Sequence, residues 1–365
     1  MKNSFIQIKD KYIGKGYPPL LIAELSGNHN QSLERALELV EQAAEVGVAA
    51  VKLQTYTADA ITINSRKEEF IVDAPGTPWH GQSLYELYQK AYTPREWHKP
   101  IFDRCNELGL VAFSSPFDES AVDFLEELNV PAYKIASFEN NHLPLIYKAA
   151  STGKPLIIST GMASIESLAE AVETTRSAGC KDLILLKCTS TYPANPQDAN
   201  LLTIPDLRKR FDVEVGLSDH TLGIGVSVAS VALGATVIEK HFTLNRCEGG
   251  VDAAFSMEPD EMKHLAEEIV RAWQALGQIS YGPTLLEKKS LMFCRSIYVV
   301  ENVKKGEYFS DKNLRIIRPG KGLSPKYYDS ILGKKSARNI ERGTPLTWDC
   351  VVDGIVNMAL SEKKC

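Results

Sequence analysis

The chain has 365 residues, of which 44% are hydrophobic and 24% charged, as is typical of folded soluble proteins. Its formal net charge is −5, so no basic surface indicates binding to nucleic acid or to an anionic membrane. No apolar run is as long as a membrane span, and residues 1–10 lack the order of a signal peptide, so we expect a cytoplasmic protein. Seven scattered cysteines form no CxxC pair, which favours reduced thiols over disulfides or a zinc finger.

Eight short apolar segments alternate with helical segments along most of the chain. The predicted strands cover residues 20–25, 49–55, 110–115, 132–137, 155–161, 183–190, 213–218 and 236–242. Eight strand–helix units in series predict an α/β protein with a closed (β/α)8 TIM barrel. A doubly wound open sheet is the alternative, but it usually carries a glycine-rich turn after its first strand, and NHNQS is not one.

The segments between the strands carry helix start and stop signals. Apolar residues recur every three or four positions after Ser32, and Asp118 and Ser164 stand at predicted N-caps. The glycines expected to end helices are Gly47, Gly109, Gly153, Gly179 and Gly234. A final helix over residues 259–276 would close the barrel.

The predicted barrel occupies residues 1–280 and is followed by a linker over residues 281–294. Short segments broken by Gly and Pro predict a separate small β-rich domain over residues 295–354, followed by a tail over residues 355–365. A domain of this size has only a thin core of its own. We therefore expect it to pack on a barrel. Within the barrel, the long connection over residues 56–93 is predicted to lie over the mouth as a lid.

Polar residues stand at the ends of the predicted strands, where a (β/α)8 barrel builds its active site. Lys52 and Lys134 lie in otherwise apolar strands, and a buried ammonium is costly unless an anion meets it. With neighbouring serine hydroxyls, they predict a pocket for phosphate and carboxylate oxygens. The alternatives are internal salt bridges, for instance to Glu24 or Glu139, and a Schiff-base lysine.

Two predicted strands end in a histidine, within GLSDHT and IEKHFTL. Side chains alternate along a strand, so Ser218 and His220 share one face, as do Glu239 and His241. Neighbouring strand tips would bring the two imidazoles to one point, which suits an open divalent-metal site. Local hydrogen bonding by each histidine is the alternative. Cys188, among apolar residues, is expected to be inert packing.

Motifs recur over nearly the whole chain, namely IAELSGNHNQSLERALELV, VKLQTY, YKIAS, LIISTGMAS, CTSTYP, GLSDHT, EKHFTL and GGVDAAFSMEP. They resemble the nonulosonate synthases, and the tail with RPGKG resembles the β-clip antifreeze-like domain of that family. AELSGNHN, PGTPWHGQSLYELY and VDAAFSMEP are closer to the branch that makes pseudaminic acid than to the branch that makes N-acetylneuraminate. The resemblance implies condensation of phosphoenolpyruvate with 2,4-diacetamido-2,4,6-trideoxy-L-altrose and water, releasing phosphate.

The resemblance also implies roles for individual residues. Those expected to bind phosphoenolpyruvate are Lys52, Ser115, Lys134, Ser137, Ser159, Ser190 and Ser218, although Ser190 stands where the sialic acid enzymes have Asn. Those expected to bind the sugar are Gln54, Tyr192, Asp252 and Arg318. Those expected to be catalytic are Glu24, Glu139, His220 and His241, with both histidines holding a divalent metal, Mn²⁺ before Mg²⁺ or Co²⁺.

Arg318 is expected, from the same resemblance, to reach the site of a partner subunit in a domain-swapped homodimer. From the residues alone it would be a solvent-exposed turn arginine. Trp79 and Tyr85 either line the sugar pocket or anchor the lid in the core. The alternative functions are the same reaction with N-acetylmannosamine or the legionaminic acid precursor, and a non-catalytic sugar- or ice-binding role suggested by the tail.

Overall fold

The computed structural model describes residues 5–352, apart from residues 75, 76 and 78. The chain divides into two compact units, Met1–Gly277 and Gln278–Cys365. The first unit ends close to residue 280, where the sequence analysis placed the end of the barrel. The predicted tail over residues 355–365, and residues 353 and 354 of the predicted small domain, lie outside the described residues.

The first unit is a closed barrel of eight parallel strands, as predicted, preceded by an antiparallel hairpin. The hairpin consists of β1 (Ile6–Ile8) and β2 (Lys11–Ile13). The barrel strands are β3 (Leu20–Glu24), β4 (Ala50–Thr55), β5 (Val111–Pro116), β6 (Tyr133–Ile135), β7 (Leu156–Ser159), β8 (Leu183–Cys188), β9 (Glu214–Ser218) and β10 (Val237–His241). Strand β10 closes the barrel by pairing with β3, in a register that runs from Val237 beside Leu20 to His241 beside Glu24.

Helices follow the barrel strands, and most of them cover the outside of the barrel. They are α1 (Leu33–Glu45), α2 (Ala58–Ile61), α3 (Leu84–Ala91), α4 (Arg95–Glu107), α5 (Glu119–Glu127), α6 (Leu143–Ala150), α7 (Ile165–Ser177), α8 (Thr203–Phe211), α9 (Gly225–Ala232) and α10 (Pro259–Leu276). Ser32, Asp118 and Ser164 accept N-cap hydrogen bonds, and the five predicted glycine stops have φ between 74° and 96°. The start and stop signals in the sequence are therefore confirmed.

Strand alternation separates the core into two parts. Outward residues such as Leu21 and Leu217 pack with the helices, whereas inward residues such as Ile22 and Phe113 form an inner cluster. Ile8 of the hairpin belongs to that inner cluster, and it is only 1% exposed. The hairpin therefore fills the N-terminal end of the barrel, which leaves the C-terminal end for an open cavity. The hairpin lies outside the strands predicted from the sequence.

The long second connection contains α2 and α3 rather than an irregular loop. Its residues Ile61, Trp79, Leu84 and Tyr88 line the cavity at the barrel mouth, so the predicted lid is confirmed. Gln31, in the first connection, donates from Nε2 to the carbonyl oxygens of Lys90 (3.0 Å) and Tyr92 (2.8 Å). These bonds satisfy carbonyls at the end of α3 and attach the lid to the barrel.

The second unit is small and rich in short strands. Its elements are β11 (Ser296–Val299), β12 (Leu314–Ile317) and the single-turn helix α11 (Tyr328–Ile331), and the two strands pair antiparallel. Ile297, Phe309 and Leu346 are among the residues of its separate apolar core. This agrees with the separate β-rich domain expected from the sequence.

Within the described residues, we find no helix that is both long enough and apolar enough to cross a membrane. The six cysteines in this part of the chain are free, as expected from their scattered positions.

Candidate active site

A cavity of about 360 Å³ lies at the C-terminal end of the barrel, beneath the lid. Twelve of the fifteen predicted site residues line it: Glu24, Lys52, Gln54, Lys134, Ser137, Glu139, Ser159, Tyr192, Ser218, His220, His241 and Asp252. They come from seven strands or their following loops, which explains why no local sequence pattern contains the whole site. The roles expected for them stay predictions.

Three predicted residues do not line the cavity. Ser115 is fully buried and accepts a hydrogen bond from Lys52 Nζ (3.4 Å), so it lies beneath that lysine. Ser190 lies beside the cavity, with Oγ 3.7 Å from Cys188 Sγ. Arg318 belongs to the second unit and stays a prediction as a partner-site residue.

Both buried lysines are paired with carboxylates. Lys52 forms an ion pair with Glu24, and its Nζ lies 3.9 Å from Glu239 Oε1. Lys134 Nζ lies 3.7 Å from the same oxygen and donates to Ser159 Oγ at 2.6 Å. The internal salt bridges considered as an alternative are therefore present. Glu239 is the counterion in place of Glu139, which the sequence had suggested. An anion entering the cavity would share these ammonium groups with carboxylates of the protein.

Glu239 is the counterion that sequence reasoning left out of the site. Burial opposes its charge, but Lys134 and Lys52 outweigh burial and lower its pKa. Burial likewise opposes the charge on Lys52, but Glu239 and Glu24 outweigh it and raise the pKa of Lys52. The signal was available, since a carboxylate inside an apolar strand requires a partner as much as a lysine does.

The two predicted histidines meet in the cavity, with ring centroids 5.3 Å apart. His220 Nδ1 donates to the Thr189 carbonyl oxygen (2.9 Å), so Nε2 is the ring nitrogen that faces a ligand. Burial opposes a charge on this ring, but Cys188 and the Thr189 carbonyl outweigh burial and raise the pKa of His220. His241 Nδ1 is buried without a hydrogen-bond partner and lies 3.9 Å from Asp252 Oδ2. Burial lowers the pKa of His241 well below its usual value, so this imidazole is neutral. Neutral rings with a free nitrogen are the form in which histidine binds metals.

The two histidines would supply two protein ligands to a divalent ion. Among residues 5–352, outside the three omitted positions, no group of three or more His, Cys, Asp or Glu side chains is arranged to hold a metal. The remaining positions would belong to water or substrate, as in open catalytic sites. The donor set therefore fits an exchangeable metal better than a structural one.

Cys188 is not the inert packing residue that the sequence suggested. It points into the barrel, lines the cavity and lies 3.9 Å from His220 Nδ1. Burial raises the pKa of its thiol, but the hydrogen bond and charge of His220, together with hydrogen bonds to Ser137 and Ser190, outweigh burial and lower the pKa to about 7. Alternation along β8 predicts its inward direction, because Leu186 and Cys188 share one face.

A hydrogen-bonded chain crosses the opposite wall of the cavity. Gln54 Nε2 donates to Glu24 Oε1 and to Ser26 Oγ, each at 3.0 Å, and Ser26 Oγ donates in turn to Asp252. Ser26 was missed because nothing in the sequence distinguishes it from an ordinary loop serine. The chain joins three predicted site residues into one polar surface.

The lid supplies an apolar roof opposite these polar groups. Trp79 Nε1 donates to the Val251 carbonyl oxygen (2.8 Å), and its ring lies 5.6 Å from that of Tyr192. Trp79 therefore both lines the cavity and fastens the lid to the loop before Asp252. Tyr85 does not line the cavity; its hydroxyl bonds to Asp59 within the lid.

Comparison with known proteins agrees with this architecture. Residues 39–281 match the NeuB family model, and residues 295–352 match the SAF domain model. A pseudaminic acid synthase of Helicobacter pylori is 45% identical over 334 residues, covering 91% of this chain and 97% of that protein. An N,N'-diacetyllegionaminic acid synthase of Legionella pneumophila is 37% identical, covering 92% of this chain and 95% of that protein.

Among solved structures, the spore coat polysaccharide biosynthesis protein SpsE of Bacillus subtilis is similar, with a TM-score of 0.65 and 34% identity. The match covers 95% of this chain and 99% of that one. Both units thus have counterparts in the same order in relatives of nearly the same length. The chain belongs to the NeuB family and is an enzyme of that family, with a closed (β/α)8 barrel followed by a SAF domain.

Proposed function

We propose that this enzyme condenses phosphoenolpyruvate with 2,4-diacetamido-2,4,6-trideoxy-L-altrose and water, giving pseudaminic acid and phosphate. The observation that carries the proposal is one cavity holding two buried lysines, a group of serines and two imidazoles beneath an apolar roof. The 45% identity to the Helicobacter pylori pseudaminic acid synthase supports this acceptor over others.

The floor of the cavity would bind phosphoenolpyruvate. Lys134 already donates to Ser159 Oγ and to the Ile135 carbonyl oxygen, which orients its ammonium group before any substrate arrives. Ser137 and Ser218 add hydroxyl groups to the same cavity, and the Ser218 hydroxyl donates to Glu239 Oε1 at 3.0 Å. Charge-assisted hydrogen bonds of this kind are strong contacts for phosphate and carboxylate oxygens.

His220 and His241 would hold the divalent metal, most simply Mn²⁺. When bound, such an ion supplies Lewis-acid polarisation of the sugar aldehyde. The protein supports this role by holding the proton of His220 on Nδ1 through Thr189 and by keeping His241 neutral through burial. C3 of the enolpyruvate would then form a bond to the aldehyde carbon.

Glu139 is suited to activate the water that adds at C2. It lines the cavity, and burial raises its pKa to about 7 against the opposing effect of Lys134. A carboxylate with that pKa takes a proton from water near neutral pH more readily than an ordinary glutamate does. Phosphate leaves as the resulting intermediate collapses.

The acceptor sugar would lie between the polar wall and the lid. Gln54, Tyr192 and Asp252 offer hydrogen bonds to hydroxyl and acetamido groups, whereas Trp79 and Val72 face it with apolar surface. An apolar roof suits the methyl groups of a 6-deoxy diacetamido sugar better than the hydroxylated chain of N-acetylmannosamine.

We also propose a homodimer in which Arg318 serves the site of the partner subunit. Apolar side chains are exposed around the barrel mouth, including Phe138 (59%) and Met162 (66%). In the second unit, Ile279 (92%) and Tyr281 (94%) are exposed as well. Clusters of exposed apolar side chains commonly mark interaction surfaces, and a second copy would cover both sets.

The proposal is tested by supplying the purified enzyme with phosphoenolpyruvate, Mn²⁺ and one of three sugars, and measuring phosphate release. The sugars are 2,4-diacetamido-2,4,6-trideoxy-L-altrose, the legionaminic acid precursor and N-acetylmannosamine. We expect the first to react with the highest kcat/KM, and chelation of the metal to stop the reaction. Preference for another sugar would show that the proposed acceptor is wrong. No phosphate release with any of the three sugars would overturn the proposal.

A further inference from the structure

A second buried ion pair lies directly behind the two cavity histidines. Asp219 immediately precedes His220, and Lys240 immediately precedes His241. Asp219 Oδ2 lies 3.1 Å from Lys240 Nζ, and each side chain is only 2% exposed. Because side chains alternate along strands, this pair lies on the outer side of the barrel wall, and neither residue lines the cavity.

The carboxylate of Asp219 is fully engaged. Its Oδ1 accepts hydrogen bonds from the backbone N of Thr221 (2.9 Å) and from the Thr221 hydroxyl (2.8 Å). Its Oδ2 accepts from Ser227 Oγ (2.6 Å), a buried residue of α9. Lys240 Nζ also donates to the Thr221 carbonyl oxygen. The loop that carries His220 is thus attached at three points to α9 and to β10.

These contacts extend the strand pairing to the histidines themselves. The register of β9 and β10 ends with Ser218 beside Glu239, and Asp219 N donates to the Glu239 carbonyl oxygen at 2.9 Å. Beyond that bond, His220 O accepts from Ala194 N and His241 O accepts from Met257 N, so these backbone bonds tie each histidine to another segment and not to the other histidine. The Asp219–Lys240 pair supplies the connection at this level.

We infer that the Asp219–Lys240 ion pair fixes the spacing of the His220 and His241 rings and thereby sets the affinity of the enzyme for its divalent metal. Both are positioning residues, since they touch neither cavity nor substrate. The inference rests on the metal role of the two histidines proposed above. Groups that orient metal ligands from behind typically change metal affinity 10- to 100-fold when altered.

A purely structural role is the competing explanation, because buried ion pairs also affect folding stability. The double variant Asp219→Asn/Lys240→Met separates the two. It removes one negative and one positive charge, so the net charge behind the site does not change and any loss of affinity reflects geometry. The milder variant Ser227→Ala removes one donor to Asp219 and leaves the ion pair in place.

The chain offers a matched control on the same strand. Arg208 Nη1 lies 2.7 Å from Glu214 Oε2 at the N-terminal end of β9, far from the cavity residues, and both side chains are mostly buried. The variant Arg208→Met/Glu214→Gln therefore removes a comparable ion pair without touching the histidine-bearing end. Its melting temperature and Mn²⁺ affinity together show how far a loss of stability alone weakens metal binding.

The experiment measures Mn²⁺ binding to the full chain by electron paramagnetic resonance of the free ion, together with the melting temperature. We expect binding about 10- to 100-fold weaker in the Asp219/Lys240 variant, severalfold weaker in Ser227→Ala, and unchanged in the control. Unchanged affinity in Ser227→Ala and in a folded Asp219/Lys240 variant, or an equal loss in the control, would overturn the inference. Absence of Mn²⁺ binding by the unaltered enzyme would instead refute the proposed metal site, and this inference with it.

Discussion

Lys134 Nζ lies 3.7 Å from Glu239 Oε1, deep in the barrel, and Lys52 Nζ lies 3.9 Å from the same atom. One carboxylate thus serves two ammonium groups. The pocket proposed for phosphoenolpyruvate carries its own counterion, so substrate binding competes with an internal ion pair. This arrangement raises the pKa of Lys52, whereas at Lys134 burial outweighs the attraction of Glu239 and lowers the pKa.

Replacing Glu239 with Gln should therefore destabilise the enzyme and strengthen its response to anions. Loss of the shared carboxylate leaves Lys134 without its ion-pair partner, and such a loss commonly costs about 3–5 kcal/mol of unfolding free energy. Inorganic phosphate should then raise the melting temperature more in Glu239→Gln than in the unaltered enzyme. Glu173→Gln, on an exposed part of α7, is the control. Equal phosphate responses in all three proteins would contradict a lysine-based anion pocket.

Removing either cavity histidine should abolish metal binding while preserving the fold. His241 Nδ1 has no hydrogen-bond partner, so His241→Ala breaks no bond at that atom. We expect phosphate release to fall by about a thousandfold or more in His220→Ala and His241→Ala, equivalent to about 4 kcal/mol of transition-state stabilisation. Circular dichroism and Mn²⁺ binding distinguish this from unfolding. His264→Ala, on the exposed side of α10, should behave as the unaltered enzyme.

Glu139 should make the folding stability of the enzyme depend on pH. Burial raises its pKa from 4.5 to about 7, so the folded state holds this proton more tightly than the unfolded state does. Its contribution to stability is therefore present below pH 4.5 and is lost as pH rises to 7, by about 3 kcal/mol in total. Urea denaturation should show that the free energy of unfolding decreases less between pH 5 and pH 7.5 in Glu139→Gln than in the unaltered enzyme.

Glu139 should also determine how kcat depends on pH. If the Glu139 carboxylate accepts a proton from water, kcat should rise as pH increases through about 7. In Glu139→Gln this rise should disappear together with most of the activity. If kcat of Glu139→Gln still rises through about pH 7, another group causes the rise, and Glu139 does not take part in the proposed step.

The partner-site role of Arg318 can be tested by complementation. Arg318→Ala and His241→Ala homodimers should each be inactive. If Arg318 serves the other subunit, a mixed dimer contains one complete site, with the barrel from the Arg318→Ala chain and Arg318 from the His241→Ala chain. Unfolding and refolding the two variants together should then restore up to about a quarter of the original activity, because half of randomly paired dimers are mixed. No restoration in a mixture shown to contain mixed dimers would place Arg318 outside the partner site.

Much of this site follows from local patterns. The barrel strands overlap the eight predicted segments, because short β-rich apolar runs between helix stop signals are specified by neighbouring residues. Alternation along β9 and β10 then correctly places Ser218, His220, Glu239 and His241 on the cavity side. A local pattern also predicted the lid, since so long a connection is unusual in a compact barrel.

The electrostatic partners did not follow from local patterns. The sequence suggested Glu24 or Glu139 for the lysines; the structure confirms Glu24 as a partner of Lys52, but it pairs both lysines with Glu239 and not with Glu139. Cys188 changed from a packing residue to a cavity residue for the same reason, because its neighbour His220 comes from another strand. The hairpin over residues 6–13 was not predicted, since its two short strands lie outside the repeating strand–helix pattern.

The sequence by itself determined the order of the barrel strands, the alternation of their side chains between the cavity and the helices, and the family to which the motifs belong. These depend on backbone propensity and on the two-residue period of a strand, which act over a few positions. Only the tertiary structure decided which carboxylate neutralises which lysine, and which ion pair stands behind the two histidines. Those pairings depend on distances between strand ends that are far apart in the chain, and closure of the barrel alone sets them.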